Sequence, residues 1–498
     1  MKTLNKNTTT LTQHQKEVFD TIIEAVGSKV SSILKSTNIE DYLLSLTGAA
    51  GTGKTYLTTQ LANYFIAKQK ELESSNNQDY SFVITAPTHK AVGVLAGHLQ
   101  QHNIESSCKT IHSFLGIKPF IDYTTGEEKF TVDKTKKSKD AASILMVDES
   151  SMIGSELYEY ILEAIEDGRV GLVLFIGDPY QLLPVKDNEN RIYHLTNQYN
   201  LEEIVRQAQD SNIIKIATKL RDRIKDNNYI NLVDFFKEFQ PGLRDVSFMH
   251  NKNDFLDDFY KNKNWYMEDK ILATHQNKNV DAFNKTIRTK YWEEKAVLNP
   301  KTLLSGDALR FNEAYSTRDV TLYHNGQVVD LEEAVWNYHN DLQIEYWECK
   351  AVHSQKQQIF RVVDPDSLSI FNDKLTAIAK KAKQSKFPDN KKYWKTFYAA
   401  RDMFANVQYT YSSTTHKLQG STYETAYIDL FSLINNNYMS NSEKYRLVYV
   451  AITRASKDVK IFMPAFKGAN NYMDDIDTID MVENFKTIDN MLSGMDFK

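Results

Sequence analysis

Cysteine is almost missing from this chain: Cys108 and Cys349 are the only two in 498 residues. They are far apart and have no ligand-type neighbours, which argues against a disulfide framework and against a zinc site. Long apolar runs are missing too. None approaches the ~18 residues that a membrane span needs, and the longest, Gly171–Gly177, reads as a buried strand. The first residues, MKTLNKNTTTLTQHQ, contain no apolar core, so no secretory signal is expected. An excess of positive charge is also lacking, with 60 Lys and Arg against 65 Asp and Glu. Asp474, Asp475, Asp477, Asp480, Glu483, Asp489 and Asp496, set against Lys486 and Lys498, account for the whole net charge of −5. The rest of the chain is neutral, and net charge lends no support to nucleic-acid binding. No short-period repeat and no low-complexity linker occurs. What remains is ordinary soluble composition, 41% apolar and 25% charged, long enough for about three or four domains.

The organisation lies in the pattern. Tyr42–Leu46, Phe82–Thr85, Ile144–Val147 and Leu172–Ile176 read as buried strands, and Thr52–Ala67, Lys90–Gln101 and Ser155–Asp167 as helices between them. Near-continuous apolar strands alternating with helices predict a parallel sheet covered on both faces. Two alternating runs around Thr124-Thr125-Gly126 interrupt it and predict a projecting β-hairpin. A second α/β pattern begins near Asp269 and resumes with Val407–Ser413, Thr425–Leu430, Ser442–Arg454 and Val459–Met463. Residues 301–404 interrupt that second pattern. Their first part alternates like a small antiparallel barrel, and Ser367 to Phe404 reads as helical and rich in Lys and aromatics.

Six segments carry chemistry. GAAGTGKT, Gly48 to Thr55, follows a strand and opens a helix, the context of a P-loop. Backbone amides of Gly48, Ala50, Gly51, Thr52 and Gly53 would close around phosphates, Lys54 would neutralise them, and Thr55 would bind Mg²⁺. ILMVDES ends a strand in Asp148, a candidate Mg²⁺ ligand, and Glu149, a candidate base for the attacking water. GDPYQLLPV offers Gln181 as a sensor of the γ-phosphate or the water, and Gln15 in LTQHQ could read an adenine edge. Arg206 and Arg454 are candidate fingers on the transferring phosphoryl group. Taken singly, each reads better as a helix-end arginine satisfying carbonyls, but the combination favours the finger, more firmly for Arg454. APTHKA, THKLQGST and VAITRA complete the set.

Together with TIHSFLGI, these motifs resemble the RecD-like 1B group of superfamily 1 helicases, over roughly residues 11–463. The resemblance implies an α/β fold of two RecA-like P-loop domains. The first carries a β-hairpin insertion, and the second an inserted SH3-like β-barrel with a helical extension. The boundaries are then 1–205 with the hairpin at 117–140, 206–300 with 405–465, the insertion at 301–404, and an acidic tail at 466–498. It further implies ATP and Mg²⁺ between the lobes and 5′-to-3′ travel on single-stranded DNA. Pro87, Thr88, His89, Thr110, His112, Thr415, His416 and Lys417 would lie on the strand. Phe120, Tyr123 and Trp394 would serve strand separation at fork duplex DNA.

Several expectations stay open at this stage. The Lys-rich stretch from Lys380 to Lys392 reads equally as a duplex contact or a solvated face. The tail repeats apolar residues at helical spacing and could dock a single-strand-binding or replication protein. A monomer in the cytoplasm, that of a host if the source is a phage, is expected. The competing functions are a protein-displacing translocase with weak unwinding, an RNA-tracking helicase, and a P-loop ATPase switch that never moves on nucleic acid.

Overall fold

The computed structural model describes residues 11–32, 38–74, 80–105, 107–132, 140–184, 187, 189–205, 211–239, 243–298, 300–317, 320–353 and 356–464. Arg206, most of 133–140 and the 466–498 tail therefore lie outside the described residues.

The first lobe is built on a six-stranded sheet in the order Cys108–Thr110, Phe82–Ala86, Ala142–Val147, Val170–Gly177, Leu43–Gly48 and Gln198–Leu201. Every pairing in it is parallel. Its strands are apolar because helices cover both faces, with Leu44, Leu46, Ile144 and Leu174 in one core and Leu145, Val147, Val173 and Phe175 in the other. This order sets the strand Val170–Gly177 between the P-loop strand and the Asp148–Glu149 strand. The three chain ends that carry the nucleotide motifs are thus neighbours on one edge, the carboxyl edge where open α/β sheets bind ligands.

The second lobe is a five-stranded, all-parallel sheet: Ser412–Thr414, Lys270–Thr274, Tyr423–Asp429, Ala455–Phe462 and Val246–Met249. It starts earlier than the pattern near Asp269 suggested, since Val246–Met249 forms its far edge beside helix Asn212–Lys225. The α/β class with two RecA-like lobes is thereby met in the molecule.

Between the second lobe's strands lies an antiparallel sheet in the order Lys356–Val363, Ile344–His353, Val328–His339, Ala308–Phe311 and Val407–Tyr409. Val407–Tyr409 was expected to resume the second lobe. It instead edges this sheet, where Val407 and Tyr409 pack on the core of Leu309, Phe311, Tyr323, Trp347 and Phe360. Two helices, Leu368–Gln384 and Asp389–Arg401, follow the sheet. Asp307, fully buried, joins insertion to lobe. Its carboxylate accepts from Arg288 Nε at 2.8 Å and Nη2 at 2.7 Å, and from Trp292 Nε1 at 2.9 Å. Among the described residues no helix is long and apolar enough to cross a membrane.

Candidate active site between the lobes

The P-loop turns sharply between strand Leu43–Gly48 and helix Lys54–Ser74. Gly51 and Gly53 take φ of +84° and +74°, a left-handed conformation that glycine adopts without steric cost. Thr52 Oγ1 donates to the Ala49 carbonyl at 2.9 Å and Lys54 Nζ to the Gly48 carbonyl at 3.2 Å, which holds the loop curled. A Cβ at Gly48 would come within 2.7 Å of Thr52 Oγ1, so the cradle has no room for side chains. Gln15 is buried, and both ends of its amide are engaged. Nε2 donates to the Thr52 carbonyl at 3.0 Å and Oε1 accepts the Thr12 amide at 3.1 Å. In this arrangement it braces the P-loop rather than presenting a free edge to a base.

Asp148 and Glu149 follow strand Ala142–Val147, and the Asp148 amide donates to the Thr85 carbonyl at 2.9 Å. Glu149 has φ of +51°, an uncommon conformation for a residue with a Cβ. Its Oε2 is buried without a hydrogen-bond partner among the described residues, as is Oε1 of Gln181. Burial and the neighbouring Glu149 push the Asp148 carboxyl up to about 6, against the pull of Lys54. Two crowded carboxylates, one with an unpartnered oxygen among the described residues, fit a hard divalent cation such as Mg²⁺. The glycine cradle with Lys54 fits a polyphosphate.

From the second lobe, helix Asn441–Ile452 reaches across this cleft. Tyr449 Oη donates to Asp178 Oδ2 at 2.7 Å and accepts the Ala50 amide at 3.0 Å. Arg446 Nη1 donates to the carbonyls of Pro179 at 2.6 Å and Gln181 at 2.7 Å. Arg454, buried, spends its guanidinium on its own lobe. It donates to the carbonyls of Val450 at 3.0 Å and Ser421 at 2.8 Å and to Thr453 Oγ1 at 3.1 Å. Here it acts as the helix-end arginine that was the plainer alternative. Glu149 nevertheless lies close enough to favour its charge.

The residues expected on a nucleic-acid strand fall into two groups. Thr88 and Thr110 cap helices His89–Gln101 and Ile111–Leu115, accepting the amides of Ala91 and Ser113, each at 3.2 Å. Pro87 is buried just before the first of these caps. His89 stacks on His324 of the insertion with ring centroids 3.8 Å apart. Lys90 Nζ donates to the Lys417 carbonyl at 3.1 Å, and Lys417 Nζ to Asn312 Oδ1 at 2.9 Å. First lobe, second lobe and insertion therefore meet around Lys90. Arg310 is buried in the adjoining sheet, with Nη1 unpartnered among the described residues. Thr415 is buried with its hydroxyl unpartnered, while His416 is exposed, 6.4 Å from the His275 ring. His112 stands apart at the hairpin base, 5.9 Å from Phe130. Desolvation holds His89, His112 and His416 below the ordinary imidazole value.

The hairpin pairs Ile117–Asp122 with Glu127–Val132 and docks by its tip on helix Asp389–Arg401. Trp394 is buried against Gly126, and Tyr123 packs with Trp394 and Tyr398. Of the expected aromatics only Phe120 is well exposed, and Phe130, which sequence reasoning passed over, is its equal. Asp178, Arg446, Tyr449, Lys90 and Arg310 were passed over as well. The one available signal was YRLVY, in which Arg446 and Tyr449 stand one helical turn apart.

A protein-family model described as an AAA domain matches residues 30–234. The ATP-dependent DNA helicase dda of Enterobacteria phage T4 is 26% identical over 469 residues, covering 89% of this chain and 99% of its own. The chain is similar to that helicase along nearly the whole length of both. An uncharacterized protein of Acanthamoeba polyphaga mimivirus is 25% identical over 484 residues, covering 83% of this chain and 93% of its own. Among solved structures, the Pif1 helicase from Candida albicans is similar at a TM-score of 0.44 and 16% identity, covering 91% of this chain and 95% of its own. At 89% coverage the likeness to the T4 protein runs through both lobes and the insertion.

Proposed function

We propose that the protein is an ATP-dependent DNA helicase that travels 5′ to 3′ on single-stranded DNA and unwinds fork duplex, acting as a monomer in phage replication or recombination. The observation that carries this reading is helix Asn441–Ile452. It belongs to the second lobe yet hydrogen-bonds the P-loop and the Asp178–Gln181 loop of the first. Chemistry at one lobe therefore reaches the other directly.

In hydrolysis, water attacks the γ-phosphorus, the bond to the β–γ bridging oxygen breaks, and ADP departs. Glu149 takes the proton of the attacking water and Gln181 orients that water. Lys54 offsets the charge on the phosphates. Thr55 and Asp148 would hold Mg²⁺, which would supply charge to offset that on the phosphate oxygens. Arg454 approaches the phosphoryl group by exchanging its carbonyl bonds for phosphate contacts, and Arg206 is the companion cation. Successive closure and release alternate the grip of Thr88–His89 and Thr415–Lys417 on the backbone, moving the strand without reading its sequence. The hairpin with exposed Phe120 divides the duplex, supported at its tip by Trp394.

The test is hydrolysis measured alone, with single-stranded DNA, and with single-stranded RNA. Stimulation of about tenfold or more by DNA, and less by RNA, is expected. Equal stimulation by RNA makes RNA the track, and no stimulation by either makes the protein an ATPase switch.

A further inference from the structure

Tyr449 holds three parts of the molecule with one hydroxyl. It donates to Asp178 Oδ2 at 2.7 Å and accepts from the Ala50 amide at 3.0 Å. The other carboxylate oxygen of Asp178 accepts the Tyr180 amide at 3.0 Å, so the aspartate is fixed in its own loop. One turn earlier on the helix, Arg446 binds the carbonyls of Pro179 and Gln181. Ala50 lies inside the P-loop, and Asp178 opens the loop that carries Gln181. Tyr449 is 1% exposed, and burial beside Asp178 raises its phenol far above the usual value, so the hydroxyl keeps its proton to donate.

Two residues past the end of the same helix, Arg454 binds the Leu418 and Ser421 carbonyls. Those residues close the loop that bears Thr415, His416 and Lys417. A continuous path therefore runs from P-loop to Tyr449, along the last turn of the helix and its cap to Arg454, and on to the loop expected to grip nucleic acid.

We propose that Tyr449 is the positioning residue through which nucleic acid held by the second lobe sets the rate of hydrolysis in the first. This rests on the helicase reading above. Tyr449 touches neither the phosphates nor the attacking water. It fixes the distance between the P-loop and the Gln181 loop when the 415–421 loop is pulled. Losing its hydroxyl leaves ATP binding intact and removes the tie between the P-loop and the second lobe, while Arg446 still holds the Gln181 loop.

The experiment compares full-length wild type with Tyr449→Phe, Asp178→Asn and the double variant. It reads kcat with and without single-stranded DNA, KM for ATP, and the thermal midpoint. Tyr449→Phe keeps the ring and its packing. Its ratio of DNA-stimulated to DNA-free rate should fall about tenfold, with KM for ATP within about threefold of wild type. The double variant should be no worse than Tyr449→Phe, because Tyr449→Phe already removes the contact that Asp178→Asn weakens. A wild-type ratio in Tyr449→Phe overturns the role of Tyr449 while leaving the helicase reading standing. An equal fall in both rates with a lowered thermal midpoint overturns it as well, marking a merely structural contact. A wild type that DNA does not stimulate overturns the helicase reading, and this inference with it.

Discussion

The indole of Trp394 occupies the space beside the α-carbon of Gly126, so that a Cβ at Gly126 would come within 2.0 Å of the ring's Cζ2. The contact joins the hairpin tip of the first lobe to the helical pair that follows the inserted sheet. Tyr398 Oη donates to the Gly126 carbonyl at 2.7 Å and Asn390 Nδ2 to the Tyr123 carbonyl at 3.0 Å. Lys391 lies over the Tyr123 ring at 5.3 Å, which engages one of the lysines that read equally as a duplex contact or a solvated face. Gly126 also has φ of +79°, which disfavours any side chain. Gly126→Val should therefore release the tip. Strand separation on a fork should drop by about tenfold or more, with single-strand-stimulated hydrolysis kept. Parallel loss of both rates would show that the tip supports the lobe rather than the fork.

Lys54→Ala removes the ammonium proposed to neutralise the phosphates and gives up one bond to the Gly48 carbonyl. Hydrolysis should fall by about 10³-fold, the scale of losing a fixed charge at the transferring group. The thermal midpoint should barely move. Measurable turnover near the wild-type rate would remove the P-loop from the mechanism.

Lys90 is pushed down to about 7, first by desolvation and then by the nearby charges of Arg310 and Arg454. Its folded value lies below that of a free lysine. It is charged below about pH 7 and neutral above, and its term in stability grows as pH rises from that point. DNA affinity should run the opposite way. Between about pH 6.5 and about pH 8.5 the Kd for a single-stranded oligonucleotide should weaken severalfold, and the salt slope should shrink by up to about 0.7. Lys90→Arg should flatten the profile. A flat wild-type profile would mean that Lys90 does not meet a phosphate.

Asp307 is fully buried and ion-paired to Arg288. Asp307→Ala strands a buried guanidinium and should cost about 3–5 kcal/mol in denaturant unfolding. The inserted sheet should loosen first. A loss below about 1 kcal/mol would show that water reaches and solvates Arg288.

The sequence displayed what is local. The glycines at 51 and 53, the apolar strand ending at Asp148–Glu149, and the alternating strands are contiguous, so their chemistry and spacing could be read directly. Contacts between distant segments left no such trace. Tyr449 and Asp178 meet across 271 positions, and Tyr449 in YRLVY reads as one more buried aromatic. Val407–Tyr409 was legible as a strand, but its partner Ala308–Phe311 was not, because a short strand suits either sheet. Thr88 and Thr110 were picked out as polar groups for phosphate, and in the fold they also cap helices. Arg454 was selected as a finger, and only the fold displays the carbonyls it holds.

The most direct measurement is strand separation on two substrates, one with only a 5′ single-stranded tail and one with only a 3′ tail, with ATP and Mg²⁺ and with Lys54→Ala as the inactive control. The account predicts unwinding of the 5′-tailed substrate alone. Unwinding from the 3′ tail, or from neither while hydrolysis is still stimulated by single strands, would contradict it.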